Sequence, residues 1–158
     1  LMIGRLIAAD TNRDRLSQLP PRAARAKAGF IETLLLNPNK EKAALDDLVD
    51  ACDVVLIDAP CSGSGTWRRN PETRWRLDQR DLQRLVSEQA RLLDLASALV
   101  KPGGHLVYAV CSLFACEGRE QIEAFLSRHP DFAAAQPDFG RHHATRRFHL
   151  RQMPGRTD

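Results

Sequence analysis

The chain has 158 residues, of which 43% are hydrophobic and 27% are charged, and its formal net charge is +3. These values are typical of one globular domain and exclude collagen-like, coiled-coil and wholly disordered classes. No apolar run approaches the roughly 20 residues that span a membrane, and no signal peptide pattern opens the chain, so we expect no membrane partner. The four cysteines are too few for a disulfide scaffold and predict a cytoplasmic, reducing environment.

The charges are distributed unevenly along the chain. Residues 11–30 carry five basic side chains and one acid, and residues 64–91 carry seven arginines and four acids. Residues 31–63 reverse the balance, with two lysines against seven acids. Positive segments of this kind permit binding of an anionic partner such as nucleic acid, and they are equally compatible with an ordinary solvated surface.

Strands and helices alternate in the predicted order of elements. The strand predictions are Met2–Ala9, Phe30–Leu36, Asp53–Asp58, His105–Cys111 and Arg147–Gln152. The helix predictions are a short helix within 11–28 interrupted by Pro20 and Pro21, then 40–51, 79–100 ended by Lys101-Pro102-Gly103-Gly104, and 117–128. This alternation predicts an α/β fold with a mostly parallel sheet and helices on both faces.

Three of the predicted strands end at chemically distinctive residues, namely Asp10, Asp58 and Cys111. Ligands of open α/β sheets bind beyond the carboxyl ends of the strands. Asp10 is placed where an acid can bind ribose hydroxyls, although Asp10 or Thr11 could equally cap the next helix.

The segment Asp58-Ala59-Pro60-Cys61-Ser62-Gly63-Ser64-Gly65-Thr66 is more specific. An acid, a proline and a cysteine leave a buried strand and enter a glycine-rich loop that a flat ligand can approach closely. Cys61 could instead be a buried packing residue. If its strand lies beside the strand that ends at Cys111, both thiols face one crevice. A zinc site lacks further ligands at short spacing, a disulfide is disfavoured in the cytosol, and a nucleophilic thiolate is the remaining chemical role.

DAPCSGSGTWRRNPETRW (58–75) and LVYAVCS (106–112) resemble the RNA cytosine-carbon-5 methyltransferases of the Sun/Fmu/NOP/NSUN family. The similarity is strongest to the bacterial ribosomal RNA branch, and it extends to IAADTNRDRL, the KPGG turn and LRQMPGRTD. It implies an incomplete Rossmann-like class I methyltransferase domain over 1–158, with S-adenosylmethionine as cofactor, no metal and small-subunit ribosomal RNA as partner. No obligate protein partner is evident.

The resemblance also implies roles for individual residues. Cys111 resembles the nucleophile that adds to carbon-6 of cytosine, and Cys61 resembles the cysteine that assists product release. Asp58 resembles an acid that binds the cytosine edge and lies beside the methyl donor, and Asp10 resembles the ribose-binding acid. The target base must be unpaired or flipped out of its helix.

The arginines between the glycine-rich loop and the long helix that follows it fit an RNA-contacting loop: Arg68, Arg69, Arg74 and Arg76. Trp67 and Trp75 either join that contact by stacking on bases or pack the loop onto the domain. Cys52 and Cys116 are expected to have no special role.

The sequence departs from the family pattern in four places. A PGGKT-like glycine-rich loop after the family's first strand is absent, and so is the last strand, which usually follows Thr-Asp. The chain therefore resembles an internal segment that lacks a central strand, and we expect it to bind S-adenosylmethionine poorly and to be inactive alone. Asn37 stands near the position of a third, cofactor-binding acid, which makes adenine contacts there doubtful, and Gly118 replaces a frequent asparagine.

Two alternatives stay open beside ribosomal RNA methylation. One is a transfer RNA cytosine methyltransferase of the same family. The other is a catalytically dead remnant that binds RNA with the methyltransferase scaffold.

Overall fold

A computed structural model describes residues 4–135 and 147–153, with the side chains of 147–149 left out of the description. The chain divides into two compact units, residues 1–47 and 48–158, which are described separately below. No described helix is both long and apolar enough to cross a membrane. The predicted strand residues Met2 and Ile3 and the closing Thr157-Asp158 lie outside the described residues.

The first unit contains two parallel strands, β1 (Leu6–Asp10) and β2 (Ile31–Leu35). The prediction of one interrupted helix between them is corrected to two helices, α1 (Arg13–Ser17) and α2 (Leu19–Arg25). The proline pair occupies the first turn of α2, where backbone N–H groups have no partner inside the helix, so it starts that helix instead of breaking one. The predicted helix over 40–51 is shorter, with α3 (Glu41–Leu45) followed by a 3-10 turn at Asp46–Leu48.

The second unit contains a four-stranded sheet in the order β3–β4–β6–β5. The strands are β3 (Cys52–Asp58), β4 (Val100–Ala109), β5 (Phe132–Ala135) and β6 (Arg147–Gln152). β3 and β4 are parallel, whereas β6 runs antiparallel to both β4 and β5. β5 was not predicted, because four residues of which three are alanine carry little strand propensity.

Two amphipathic helices cover the core of this unit, α4 (Gln79–Ser97) and α5 (Arg119–Arg128). The side chain of Asp78 begins α4 by accepting the Asp81 N–H at 2.7 Å, which is a standard N-cap bond. The helices contact β4 and β5 through a continuous buried cluster: Leu93, Ala96, Val100, Leu106, Tyr108, Ile122, Phe125, Phe132 and Leu150.

The KPGG segment is not a separate turn between helix and strand. α4 ends at Ser97, three residues earlier than predicted, and β4 begins at Val100 and includes KPGG as an irregularity in its pairing with β3. Gly103 has a φ of +80°, which favours glycine. β4 also ends at Ala109, so Cys111, which was predicted to be the last residue of the strand, lies in the loop two residues beyond it.

Candidate active site

The loop that follows β3 carries the first cysteine. The Ala59 N–H donates to the Ala109 carbonyl at 3.0 Å and extends the β3–β4 pairing by one step. The chain then leaves the sheet, and Gly63 turns it with a φ of +65°, in the left-handed region. Cys61 lies at the start of this turn and is half-buried against the hydrophobic core.

The loop that follows β4 carries the second cysteine and is bonded directly to the first loop. The Gly65 N–H donates to the Cys111 carbonyl at 3.0 Å, and the Leu113 N–H donates to Ser64 Oγ at 2.8 Å. A Cβ atom on Gly65 would lie 3.0 Å from the Cys111 carbonyl oxygen, so glycine permits this approach. The two loops therefore form one unit although 50 residues separate their cysteines.

The two thiols meet at the surface of this unit. Cys61 Sγ and Cys111 Sγ are 3.3 Å apart, and Cys111 is exposed. The convergence that the predicted strand order implies is therefore present in the structure. Burial, followed by the neighbouring Cys111 thiol, raises the pKa of Cys61 to about 11. Cys61 consequently keeps its proton near neutral pH and can donate it toward the sulfur of Cys111.

Two buried polar residues beneath the loops were missed as site residues. Gln89 on α4 and Glu117, just before α5, are both completely buried. Gln89 Nε2 donates to the Pro60 carbonyl and to Glu117 Oε1, both at 2.9 Å. A signal for Gln89 existed, because it is a polar residue at helical spacing among the apolar residues of the predicted helix 79–100. Glu117 had no such signal, because an acid at the start of a predicted helix is ordinary.

The three predicted acid and amide ligands lie at or after strand ends. Asp58 is the last residue of β3, is exposed, and pairs in register with Ala109. Asp10 is the last residue of β1, and its Oδ1 accepts the Asn12 N–H at 2.8 Å. The N-cap of α1 is Asn12, so the alternative that Asp10 or Thr11 caps this helix is wrong. Asn37 follows β2 and is exposed.

The loop between β3 and α4 presents the predicted RNA-binding residues to solvent. Within the described part of the chain none of its four arginines forms a salt bridge, and all are exposed: Arg68, Arg69, Arg74 and Arg76. Trp75 is 83% exposed, and the Arg74 guanidinium lies 5.6 Å from its ring centroid.

Trp67 has a different environment from Trp75. Its ring packs edge-on against Phe114 with centroids 5.9 Å apart, so it joins this loop to the loop that carries Cys111. A depression of about 490 Å³ in the same loop is lined by Gly65, Thr66, Arg68 and Arg69. Trp67 therefore packs the loop onto the domain, which is one of its two predicted roles, whereas the Trp75 ring is available to a ligand.

The remaining cysteines and possible metal ligands do not add to this site. Cys52 lies at the start of β3, at the opposite end of that strand from Asp58. Burial raises the pKa of the Cys116 thiol, and the charge of Glu117 raises it further. Among residues 4–135 and 147–153, no group of three or more His, Cys, Asp or Glu side chains could hold a metal ion.

The sequence model of the 16S rRNA methyltransferase RsmB/F family matches residues 2–158. The chain belongs to this family. The predicted membership in the RNA cytosine-carbon-5 methyltransferases, in their bacterial ribosomal RNA branch, is thereby confirmed. A relative in the RsmB/F family, ribosomal RNA small subunit methyltransferase B of Salmonella newport (strain SL254), is 48% identical over 84 residues. That match covers 53% of this chain and 20% of the relative, so the chain matches about a fifth of that protein.

Solved structures share the fold of this RsmB/F chain. The crystal structure of PH0851 covers 94% of the chain with a TM-score of 0.77 and 29% identity, and the chain covers 36% of it. The structure of NSun6 from Pyrococcus horikoshii with SFG has a TM-score of 0.75 and 16% identity, with coverages of 96% and 42%. The predicted α/β, Rossmann-like methyltransferase fold is confirmed.

Proposed function

We propose that the chain is the catalytic part of an enzyme that methylates carbon-5 of a cytosine in small-subunit ribosomal RNA, with S-adenosylmethionine as the methyl donor. The observation that carries this proposal is the exposed Cys111 sulfur, 3.3 Å from a second thiol at the ends of two adjacent parallel strands. Membership in the RsmB/F family and the name of the Salmonella relative support the substrate class.

The two thiols are suited to different steps. A cytosine carbon is a poor nucleophile, and addition of the Cys111 sulfur to carbon-6 makes carbon-5 electron-rich, so one difficult step becomes two easier ones. After methyl transfer, a base such as water takes the proton from carbon-5, the electron pair of that C–H bond restores the carbon-5–carbon-6 double bond, and the Cys111 sulfur leaves carbon-6 as a thiolate. Cys61 remains protonated at neutral pH because its pKa is raised to about 11. A neutral thiol in contact with the departing sulfur can protonate it and favour release of the product.

In this proposal Asp10 binds the cofactor and Asp58 binds the base. S-adenosylmethionine supplies a methyl group activated by a sulfonium charge. Asp10 uses Oδ1 to accept the Asn12 N–H. Its Oδ2 lies 3.8 Å from Arg15 Nη1, beyond hydrogen-bond distance, so it can accept hydroxyl donors of a ribose. Asp58 is exposed at the end of β3, where it can accept a bond from the exocyclic amine of cytosine. Asn37 contributes no charge, so we assign it at most a neutral hydrogen bond to the adenine.

The arginine-rich loop provides the RNA contact in this proposal. Its four exposed guanidinium groups form no ion pairs with other described residues, so they can neutralise phosphates. The exposed Trp75 ring offers a stacking surface for an unpaired base. Replacing one phosphate-binding arginine by alanine should reduce the slope of log affinity against log salt by about 0.7 for single-stranded RNA.

The proposal is tested on the natively expressed protein, meaning the protein as its own organism produces it. It is incubated with labelled S-adenosylmethionine and small-subunit ribosomal RNA. Cys111→Ala should abolish methyl transfer, whereas Cys61→Ala should accumulate a protein–RNA adduct that survives denaturing electrophoresis. Cys52→Ala is the matched control and should behave like the wild type. Normal methylation by Cys111→Ala would refute the mechanism. RNA binding without methylation or adduct in any variant would favour the remnant, and methylation of transfer RNA alone would favour the other substrate.

Cofactor affinity is tested separately on the 158-residue chain. Its sequence lacks a PGGKT-like loop, which in the family resemblance holds the methionine part of S-adenosylmethionine. We therefore expect weak binding and no measurable turnover by the chain alone. A micromolar dissociation constant from isothermal titration calorimetry would contradict this expectation.

A further inference from the structure

Glu117 is a completely buried carboxylate that is surrounded by hydrogen-bond donors. Its Oε1 accepts the Ser62 N–H at 2.8 Å and Gln89 Nε2 at 2.9 Å. Its Oε2 accepts the hydroxyls of Ser62 and Ser112, both at 2.5 Å. Transfer of a carboxylate from water to a protein interior is costly, and four donors, two on each oxygen, offset that cost.

These donors come from both cysteine loops. Ser62 directly follows Cys61, and Ser112 directly follows Cys111. One side chain therefore binds the residue that follows each thiol, through the N–H and hydroxyl of Ser62 and through the hydroxyl of Ser112, across sequence separations of 55 and 5 residues. The two serine hydroxyl oxygens are 3.2 Å apart, so both of them and Glu117 Oε2 are in mutual contact.

The backbone of Glu117 is held as firmly as its side chain. The buried Tyr108 hydroxyl, on β4, donates to the Glu117 carbonyl at 2.9 Å. Burial, followed by the charge of Glu117, raises the pKa of Tyr108, so this hydroxyl remains a donor throughout the physiological range. Glu117 is thus tied to the sheet through Tyr108 and to α4 through Gln89. Glu117 therefore holds the two loops against β4 and α4, and not only against each other.

We propose that Glu117 is a positioning residue, which holds the Cys61 and Cys111 thiols at reacting distance without itself touching the substrate. This proposal rests on the proposed function for its biological meaning, because two fixed thiols matter when one adds to a base and the other assists its release. The geometric claim can be tested without RNA or methyl donor. Small displacements of reacting groups lower rates strongly, so the distance between the sulfurs is the quantity to measure.

The experiment measures the effective concentration of one thiol at the other. The 158-residue chain with Cys52→Ser and Cys116→Ser keeps only the two site thiols. Diamide oxidises this pair to a disulfide: the two thiols lose two hydrogens, which reduce the N=N bond of diamide to a hydrazine. The rate of this reaction is divided by the rate at which iodoacetamide alkylates Cys111 in a Cys61→Ala chain, which corrects for changes in exposure or reactivity.

Glu117→Gln should lower this ratio at least tenfold, because the amide cannot accept four donors. Glu120→Gln is the matched control, since Glu120 is an exposed acid three residues along the chain, and it should change the ratio less than twofold. A residue that only stabilises the fold would lower the melting temperature and leave the ratio unchanged. A ratio within twofold of the wild type in folded Glu117→Gln overturns the proposal.

Two further variants cover the case in which Glu117→Gln does not fold. Ser62→Ala and Ser112→Ala each remove one donor and keep the carboxylate, and circular dichroism identifies which variants are folded. A fall in the ratio supports the proposal, and an unchanged ratio refutes it. Failure of all three variants to fold also refutes it, since Glu117 would then be required for the fold itself. Rapid disulfide formation in the 158-residue chain, together with no RNA methylation by the natively expressed protein, would count against the proposed function alone.

Discussion

Replacement of Gln89 by leucine tests whether the buried polar layer under the cysteine loops contributes to stability. Leucine has a similar size and suits the apolar face of α4, and it loses a long bond that Gln89 Oε1 accepts from Gln121 Nε2 at 3.5 Å. The main change is the removal of the two bonds that Nε2 donates. These bonds join Nε2 to the Pro60 carbonyl and to Glu117 Oε1, each at 2.9 Å. Gln89 is completely buried, so water cannot replace the missing donor without entering the core.

The size of the stability loss follows from the two buried acceptors that lose their donor, the Pro60 carbonyl and Glu117 Oε1. A buried acceptor without its donor costs about 1–3 kcal/mol, and the value is larger for a charged group. Glu117 keeps three donors, and the leucine side chain recovers part of the loss by apolar burial. We therefore expect Gln89→Leu to lower the free energy of unfolding by about 2–4 kcal/mol.

The measurement is urea unfolding followed by circular dichroism, with the midpoint and the denaturant slope fitted separately. Gln83→Leu is the matched control, because Gln83 is exposed on the same helix and should change stability by less than about 0.5 kcal/mol. A loss below about 1 kcal/mol in Gln89→Leu, with an unchanged slope, would refute the assignment of Gln89 as a buried donor that the loops require.

Three other changes give distinct results. Gly65→Ala places a Cβ 3.0 Å from the Cys111 carbonyl oxygen and should slow disulfide formation by diamide, because the loops must separate. Trp67→Ala should cost about 1–3 kcal/mol on urea unfolding, whereas Trp75→Ala should cost less than about 0.5 kcal/mol and weaken RNA binding in a filter assay. Because the pKa of Cys61 is raised to about 11, its alkylation, followed by peptide mapping, should rise with a midpoint near that pH. The unfolded thiol releases its proton at lower pH, so this group's contribution to stability should be lost between about pH 9 and 11.

The alternation of strands and helices was predictable because each element depends on the pattern of residues that are close together in the sequence. β3 is a β-branched run between two acids, and α4 shows an apolar face over five turns, so both were located within a few residues. The convergence of the two cysteines was also predictable, since parallel neighbouring strands end at the same edge. The roles of the individual site residues stay predictions.

The polar layer beneath the site could not be predicted, because it depends on contacts between distant segments. Glu117 meets Ser62 and Gln89 across 55 and 28 residues, and no local pattern distinguishes a buried glutamate at a helix start from an exposed one. The sequence also did not identify Asn12 as the N-cap of α1, for a related reason. Several residues before a helix can cap it, and the backbone path selects one.

The position of the thiols depends on the register between β3 and β4, which an irregularity at the far end of β4 helps to set. Cys52 pairs with Val100, but Val54 pairs with His105, so β4 contains extra residues at the KPGG segment. The chain can fold there because Gly104 has no side chain: a Cβ would lie 2.9 Å from the Lys101 carbonyl oxygen and 3.0 Å from that of Asp53.

Beyond this irregularity the pairing is regular as far as Asp58 and Ala109, and it continues through the bond from the Ala59 N–H to the Ala109 carbonyl. A slip of one residue would shift the loop after β4 by about 3.3 Å and turn its side chains to the opposite face. Cys111 would then no longer meet Cys61. The glycine pair at the start of β4 is therefore part of what brings the two sulfurs together at its end.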